Sequence, residues 1–385
     1  MITIQYIFLH VLLIVVLFFS CKKIDSVERK YYWRYALIPI LAFALEEGLR
    51  WGRGIDWCFY SNVYADLGYG IDTGHEPLFS LIWSFFSMLG FPYTSIIFLC
   101  SLFYIFSIFF LAKPFRGILK IFIPLVVLIT SFAAENLIRW YLGISFLFIS
   151  VRLFLQGKNI QAFFVAILSV LVHYGLILFL FLLPLLKKKN TIMSSEWLFF
   201  LSLFLLIAFS PKFLGQFAFL FDYLTLFSDR FDHYTNDPVD WLTGESQSAE
   251  LVRRNWISTF VSMSQYYIFI YFIYKQLRIK RYLIPIYNVA VLGIILLSIS
   301  SGIELVARYT RFFEPFILII GSYVFLGLVN KMKNYKVLLV LLFCSFFILR
   351  KFIYFCNPST FPHEVLLGYV WNDSLLPADL VKYYK

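Results

Sequence analysis

The chain has 385 residues, of which 61% are hydrophobic and 14% are charged, and its mean hydropathy is +0.81. This composition leaves too little polar surface to cover a water-soluble globule, so it excludes that class and indicates a protein with many membrane spans. The formal net charge of +11 does not indicate nucleic-acid binding, because the lysines lie mainly in short loops between apolar runs, where they orient the spans.

The N-terminal apolar run, residues 2–20, has no basic residue before it and no small-residue cleavage pattern. We therefore interpret it as a retained first span rather than a signal peptide. Basic clusters then recur along the chain, and if all of them lie in the cytoplasm, neighbouring clusters are separated by an even number of spans. The clusters occupy residues 21–34, 113–120, 152–158, 187–189, 275–281 and 331–336.

This parity rule predicts pairs of spans between the later clusters. The apolar run 160–186 is too long for one upright helix across about 30 Å of hydrocarbon. We predict a hairpin of two short helices that turns at His173–Gly175, with a single tilted helix as the alternative. The other predicted pairs are 121–134 with 138–152, two spans that flank a polar stretch at 211–255, and two spans between 281 and 331.

Three apolar runs lie between the first two basic clusters, which is one more than parity allows. Glu76 followed by Pro77 predicts a helix start, because proline suits the first helical position and a carboxylate suits the positive end of the helix dipole. The helix that follows, residues 78–89, is short. We therefore predict that it is re-entrant or interfacial on the outer side of the membrane.

The whole pattern predicts an all-α polytopic integral membrane protein with about 12 transmembrane helices plus this re-entrant or interfacial helix. We expect one transmembrane domain over residues 1–385. The segments predicted to lie in the periplasm are two loops, at about 46–92 and 211–255, and a C-terminal tail at about 357–385.

Several arginines depart from the pattern set by the lysines, because they fall near the predicted outer face. A charged side chain at membrane depth is costly and usually marks a functional site. The guanidinium group offers five donors in a rigid fork that suits phosphate oxygens. The sequence therefore predicts a phosphate-bearing ligand held by Arg50, Arg53, Arg139, Arg230, Arg308 and Arg311. The alternative for each arginine taken alone is a bond to a neighbouring carboxylate or to lipid headgroups.

Three side chains in the same predicted outer region are candidates for a general base. Asp56 lies in G-I-D-W, Glu76 lies in H-E-P-L-F, and His173 lies in the middle of an apolar run. A carboxylate or a neutral imidazole can take the proton from a sugar hydroxyl. The sequence does not choose among the three. Glu76 also has a structural explanation as a helix-start carboxylate, and His173 as a hydrogen-bonded packing residue.

Aromatic rings accompany these charges. We expect them to stack on the apolar faces of sugar rings, although an interfacial aromatic belt explains each ring taken alone. The predicted sugar-binding residues are Trp51, Trp57, Tyr60 and Asn136. The sequence has no Walker loop, zinc motif or nucleophile elbow, so no cofactor and no metal are expected.

Six motifs are spread in order along most of the chain, namely Leu49–Tyr60, Glu76–Phe79, Asn136–Arg139, His173, Ser228–Tyr234 and Ala307–Phe313. Their order and spacing resemble those of the EpsG family of polysaccharide polymerases, the Wzy-type proteins of capsule, exopolysaccharide and O-antigen assembly. The chain departs from the family pattern at Trp140, where glutamine is common, and at Gly175, where serine is usual.

This resemblance implies a membrane-embedded glycosyltransferase of the C class. Such an enzyme takes a growing glycan from undecaprenyl diphosphate and transfers it, with inversion and without a metal, to the non-reducing end of a lipid-linked repeat unit. The implied location is the bacterial inner membrane, with the active site facing the periplasm. The implied partners are the undecaprenyl-diphosphate-linked oligosaccharide donor and acceptor, membrane lipids and, as a further candidate, a chain-length regulator. The alternatives are an O-antigen ligase, a flippase or transporter for lipid-linked oligosaccharides, and a membrane acyltransferase.

Overall fold

A computed structural model describes residues 2–54, 56–209, 256–300, 304–355 and 368–371. The chain divides into two compact units, Met1–Leu186 together with Ile348–Lys385, and Lys187–Phe347. Within the described residues both units are built almost entirely from helices. The single transmembrane domain over residues 1–385 remains a prediction.

The first unit contains a series of α-helices formed by the long apolar runs of the sequence. In order they are α1 (Ile2–Ser26), α2 (Tyr32–Gly48), α3 (Trp57–Gly68), α4 (Pro77–Met88), α5 (Tyr93–Ala112), α6 (Leu119–Asn136), α7 (Ile138–Leu155) and α8 (Asn159–Val172). Helix α1 packs against α2 and α6, α5 packs against α2 and α7, and α7 packs against α8. A helix satisfies all of its backbone hydrogen bonds internally, which is why apolar runs in a membrane adopt this structure.

A short strand pair joins distant parts of the first unit. Strand β1 (Arg50–Trp51) follows α2, and it pairs antiparallel with β2 (Gly368–Tyr369) near the C-terminus. The backbone N–H of Val370 donates to the carbonyl of Leu49 at 2.9 Å and extends the pairing by one bond. The segment 368–371 is therefore bound to the loop that follows α2.

The second unit contains four further helices within its described residues, α9 (Ser195–Ala208), α10 (Trp256–Tyr274), α11 (Ile284–Ile299) and α12 (Glu304–Val329). Helices α10 and α11 each pack against both α9 and α12. Asn288, buried in α11, fixes the segment before α9, because it accepts from the N–H of Ile192 and donates to the carbonyl of Asn190, both at 3.0 Å. Helix α13 (Tyr335–Phe355) begins in this unit and ends in the first.

Six helices in the described part of the chain are long and apolar enough to cross a membrane. They are Thr3–Ser26, Tyr93–Phe115, Leu119–Asn136, Ile138–Leu155, Arg281–Ile299 and Val306–Val329. These helices confirm the prediction of a helical, membrane-embedded protein. The total of about 12 spans and the C-class fold remain predictions.

Local signals in the sequence place several helices correctly. Pro77 is the first residue of α4, and Glu76 before it is extended, with φ of −61° and ψ of 147°. The predicted spans 121–134 and 138–152 correspond to α6 and α7. Helix α3, in contrast, lies inside the predicted loop 46–92. It could have been recognised from its buried residues, which recur every three or four positions as in an amphipathic helix, namely Trp57, Tyr60, Tyr64 and Leu67.

The predicted hairpin in the run 160–186 is not formed. The helix does break at His173, which is extended with φ of −154° and ψ of 109°, but the next segment is a 3-10 helix over Tyr174–Lys187. These two fully described segments do not pack along each other. Gly175 does not adopt the positive φ that a tight reversal of the chain commonly uses.

Candidate active site

Three predicted site residues are brought together by one buried apolar core in the first unit. Phe79 of α4, Ile138 of α7 and Val172 of α8 all belong to this core. Each of them lies within three residues of a polar side chain that the sequence singles out, namely Glu76, Arg139 and His173. Burial of the apolar residues therefore positions the polar ones.

Glu76 and Arg139 form an ion pair at this place. Nη1 of Arg139 donates to Oε2 of Glu76 at 2.7 Å, and Oε1 of Glu76 accepts the backbone N–H of Tyr174 at 3.3 Å. Glu76 is buried, whereas 21% of the Arg139 side chain is exposed. Nε of Arg139 is buried and makes no hydrogen bond to the described residues. The pair thus fixes the guanidinium group while another part of the side chain stays exposed.

His173 is held beside this ion pair. Its Nδ1 accepts the backbone N–H of Gly175 at 3.1 Å, and its ring packs edge-on against Trp140, with the ring centroids 4.9 Å apart and the planes at 86°. Trp140 directly follows Arg139, and Tyr174, which binds Glu76, directly follows His173. Motifs separated by about sixty to one hundred positions in the sequence therefore meet in one place.

The loop after α2 is fastened to the same region. The backbone N–H of Asp56 donates to Oδ1 of Asn136 at 3.0 Å, and Asn136 is the last residue of α6, three positions before Arg139. Asp56 is half-buried and immediately precedes α3. The amide oxygen of Asn136, which the sequence assigns to sugar binding, is thus used here to hold the loop.

Gly54 allows this close approach. Its φ is +91°, and a Cβ at this position would lie 3.0 Å from both the Cα of Asn136 and the carbonyl oxygen of Glu135. Gly70 provides a matched control, since it also has a positive φ, of +74°, but no atom lies within 4 Å of a Cβ built there.

We expect Gly54→Ala to lower the thermal unfolding temperature more than Gly70→Ala does. Both variants carry the cost of a side chain at positive φ, roughly 1–2 kcal/mol. Only Gly54→Ala also makes tight contacts, at 3.0 Å, with the main chain of α6. Unfolding of each purified variant in the same detergent measures the difference. Equal unfolding temperatures would show that the loop does not need glycine for its contact with α6.

A second group of charges, here called the buried charge cluster, consists of Arg50, Arg53, Glu46, Glu47 and Glu135. Nη1 of Arg50 donates to Glu47 at 3.0 Å, and Nη1 of Arg53 donates to Glu135 at 3.0 Å and to Glu46 at 3.4 Å. Arg50 also reaches the carbonyl oxygen of Glu135 at 3.3 Å. Such mutual pairing is what makes the burial of charged groups tolerable.

Tyrosine rings enclose Arg53 within this cluster. The guanidinium carbon lies 4.1 Å from the ring centroid of Tyr369 and 4.8 Å from that of Tyr6. Nε of Arg53 donates to the carbonyl of Gly368 at 3.0 Å, and the hydroxyl of Tyr369 donates to Glu46 at 2.5 Å. Burial by itself lowers the pKa of Arg53. The neighbouring negative charges, chiefly those of Glu46 and Glu135, together raise it by more than burial lowers it, so the pKa ends above its ordinary value.

The sequence predicts that Arg50 and Arg53 bind a diphosphate, but in this structure both side chains are buried and bonded within the cluster. Arg53 is 0% exposed, and each of its three nitrogens donates to another part of the chain. Arg50 is also buried. Direct contact of the Arg53 guanidinium with a ligand would require bonds of the buried charge cluster to break, and Arg50 would first have to be uncovered.

The predicted sugar-stacking residues are largely part of the core. Trp57 and Tyr60 are buried, and their rings lie 4.9 Å from Tyr93 and 5.6 Å from Trp83 respectively, measured between centroids. Trp51 is half-buried and lies 5.9 Å from Trp57. In this structure the burial of Trp57 and Tyr60 stabilises the packing of α3 on α4 and α5, and neither ring is open to a sugar.

The remaining predicted arginines lie elsewhere in the chain. Arg308 and Arg311 are on α12 of the second unit, and Nη1 of Arg311 donates to Glu314 at 2.8 Å, one helical turn later. Arg230 falls outside the described residues.

Among the described residues, His10, Glu46 and Glu47 could hold a metal ion, because one ligand atom from each lies within 4.8 Å of the others. Imidazole and carboxylate ligands suit several divalent ions. The two carboxylates already accept hydrogen bonds from Arg50 and Arg53, so a cation here would share them with two guanidinium groups. That the reaction needs no metal remains a prediction.

Sequence reasoning did not assign Glu46, Glu47 or Tyr369 to the site. Two adjacent carboxylates at the end of an apolar run are a usable signal, because buried carboxylates require cationic partners, and Arg50 follows Glu47 by three positions. Tyr369 carries no local signal, since its hydroxyl reaches a carboxylate 323 positions away.

One family model matches most of this chain. The model of the EpsG family matches residues 31–365, a range that contains every predicted site residue. No curated protein and no solved structure matches the chain significantly. Because the family match spans most of the sequence, the chain belongs to the EpsG family.

Proposed function

We propose that the protein is a polysaccharide polymerase that transfers a growing glycan from undecaprenyl diphosphate to a lipid-linked repeat unit. Family membership supports a polymerase-type role in polysaccharide synthesis. The structural observation that carries the proposal is the Glu76–Arg139 ion pair beside His173, because it joins three separate motifs around a fixed and partly exposed guanidinium group.

In the proposed reaction a hydroxyl of the acceptor sugar attacks the anomeric carbon of the donor glycan. The bond from that carbon to the diphosphate oxygen breaks, and its electron pair leaves with undecaprenyl diphosphate. Negative charge develops on the leaving oxygens, and Arg139 is positioned to stabilise it without reorganisation. Direct displacement inverts the anomeric centre.

The proton of the acceptor hydroxyl requires a base. Both oxygens of Glu76 already accept hydrogen bonds, one from Arg139 and one from Tyr174, which makes Glu76 better suited to hold Arg139 than to take a proton. We assign the general base to Asp56, whose backbone is fixed to Asn136 near the start of α7. Guanidinium groups supply the charge stabilisation, so the proposed reaction uses no metal and no cofactor.

The proposed site faces the periplasm across the bacterial inner membrane. Lipid carriers would reach it sideways from the outer leaflet, and the partly exposed Arg139 lies at the very start of a predicted span. Arg308, Arg311 and Arg230 remain candidates for further contacts with the diphosphate or the acceptor, and a chain-length regulator remains a candidate partner.

The test is a polymerisation reaction with purified protein and synthetic undecaprenyl-diphosphate repeat units, without nucleotide sugars. We expect a ladder of lipid-linked glycans spaced by whole repeat units. Persistence of single repeats would contradict the proposal. Transfer to a different acceptor such as a lipid A core would then favour a ligase, and movement of the intact lipid across a vesicle membrane would favour a flippase.

A further inference from the structure

The hydrogen bond between Gly175 and His173 determines which ring nitrogen can carry a proton. The backbone N–H of Gly175 lies 3.1 Å from Nδ1 of His173. A backbone N–H can only donate, so Nδ1 must offer its lone pair and cannot itself be protonated while this bond exists. In the neutral ring the proton therefore lies on Nε2.

The surrounding contacts keep the ring in this orientation. A half-turn of the ring would place a carbon, instead of Nδ1, against the N–H of Gly175. The edge-on packing against Trp140 restricts such a turn, and the N–H of Leu176 binds the carbonyl of His173 at 3.0 Å. The backbone N–H of Tyr174 is tied to Glu76 as well. These contacts hold His173 beside the Glu76–Arg139 pair.

This arrangement leaves neither nitrogen of His173 suited to act as a base. To accept a proton at Nε2, the ring would have to carry its first proton on Nδ1, where it would oppose the N–H of Gly175. To accept a proton at Nδ1, it would have to give up the bond to Gly175.

We infer that His173 acts as a neutral hydrogen-bond donor through Nε2–H to an anionic oxygen of the substrate diphosphate, and not as the general base. The inference rests on the proposed polymerase function. It gives His173 and Arg139 the same task, since both stabilise the charge that develops on the leaving group. No proton leaves His173 during transfer, and the acceptor proton goes to a carboxylate.

Two substitutions at His173 distinguish the two roles. The side-chain amide of glutamine can present an N–H near the position of Nε2, whereas the shorter amide of asparagine reaches only the position of Nδ1. We expect His173→Gln to form polymer at a rate within about tenfold of wild type, and His173→Asn to lose about a hundredfold or more, in line with the loss of one preorganised donor. Both purified variants should unfold at similar temperatures.

The results separate this inference from the proposed function. If wild type forms no ladder, the proposed function fails and the rates decide nothing about His173. If wild type forms a ladder and His173→Gln is as slow as His173→Asn, the donor role is contradicted. If His173→Asn keeps its activity while His173→Gln loses it, the donor role is also contradicted. Asparagine can replace only Nδ1, so the ring would then matter only through its bond to Gly175.

A measurement that does not depend on activity tests the tautomer directly. NMR of protein labelled with ring-¹⁵N histidine distinguishes a protonated Nε2 from a protonated Nδ1, and the spectrum of His173→Gln identifies which signal belongs to His173. We expect the Nε2–H form at neutral pH. A signal from the Nδ1–H form would overturn the inference whatever the activity of the variants.

Discussion

Replacement of Arg139 by alanine is expected to slow polymer formation by about 10²- to 10³-fold, the usual cost of removing one preorganised charge-stabilising donor. Arg139 meets the structural conditions for such a role. Its guanidinium group is fixed by a 2.7 Å bond to Glu76, and its side chain is partly exposed. The rate of ladder formation from synthetic donor and acceptor measures the effect.

The loss of activity has to be separated from a loss of folding, because Arg139→Ala leaves the carboxylate of Glu76 buried without its cationic partner. Combining Arg139→Ala with Glu76→Gln removes that uncompensated charge. We expect the double variant to recover thermal stability but not activity. Recovery of activity in the double variant would show that Arg139 serves only to neutralise Glu76.

Arg152 provides a control on the same helix. It lies in the last turn of α7, whereas Arg139 lies in the first. Thirteen residues of helix separate the two side chains by about 20 Å. We expect Arg152→Ala to keep polymerase activity near that of wild type. Arg139→Lys should fall between wild type and Arg139→Ala, because lysine keeps the charge but loses the planar fork.

Replacement of Arg53 by methionine should have the largest effect on stability. The side chain is fully buried and bonded to Glu46 and Glu135, and it is enclosed between the rings of Tyr6 and Tyr369. Removing it leaves three buried carboxylates with Arg50 as the remaining guanidinium of the cluster. Breaking a buried ion pair in this way costs about 3–5 kcal/mol. The shift in the thermal unfolding curve of detergent-solubilised protein measures the loss.

A second substitution shows whether unpaired charge is the cause. Adding Glu135→Gln to Arg53→Met removes one of the carboxylates that has lost its partner, so the double variant should be more stable than Arg53→Met alone. Arg53→Lys should be intermediate, since the ammonium group keeps the charge but cannot reproduce the three bonded nitrogens. If Arg53→Met unfolds at the temperature of wild type, the buried charge cluster does not stabilise the fold.

Much of the helical structure could be predicted because its signals are local. Proline after Glu76 marks the start of α4, and the apolar runs on either side of Asn136 mark α6 and α7. Parity of the basic clusters was less reliable for the run 160–186. That rule counts crossings, but it does not determine whether a break at His173 reverses the chain.

The candidate site could be predicted only in part, and the reason lies in how charges are paired. Sequence singles out Arg139, Glu76 and His173 as unusual polar residues beside apolar runs, and the structure brings them together. The sequence cannot show that the guanidinium group of Arg53 donates hydrogen bonds to Glu46 and Glu135, because those bonds depend on which helices pack together. For the same reason Trp57 was expected at a sugar and lies in the core.

The most direct test of the polymerase proposal counts two products in one reaction. Purified wild type and Arg139→Ala would receive a defined lipid-linked donor and acceptor, and both the undecaprenyl diphosphate released and the glycosidic bonds formed would be measured. We predict one carrier released for each bond formed by wild type, and a parallel fall of both products in Arg139→Ala. Bond formation without release of the carrier, or equal rates in the two proteins, would contradict a polymerase whose leaving diphosphate is stabilised by Arg139.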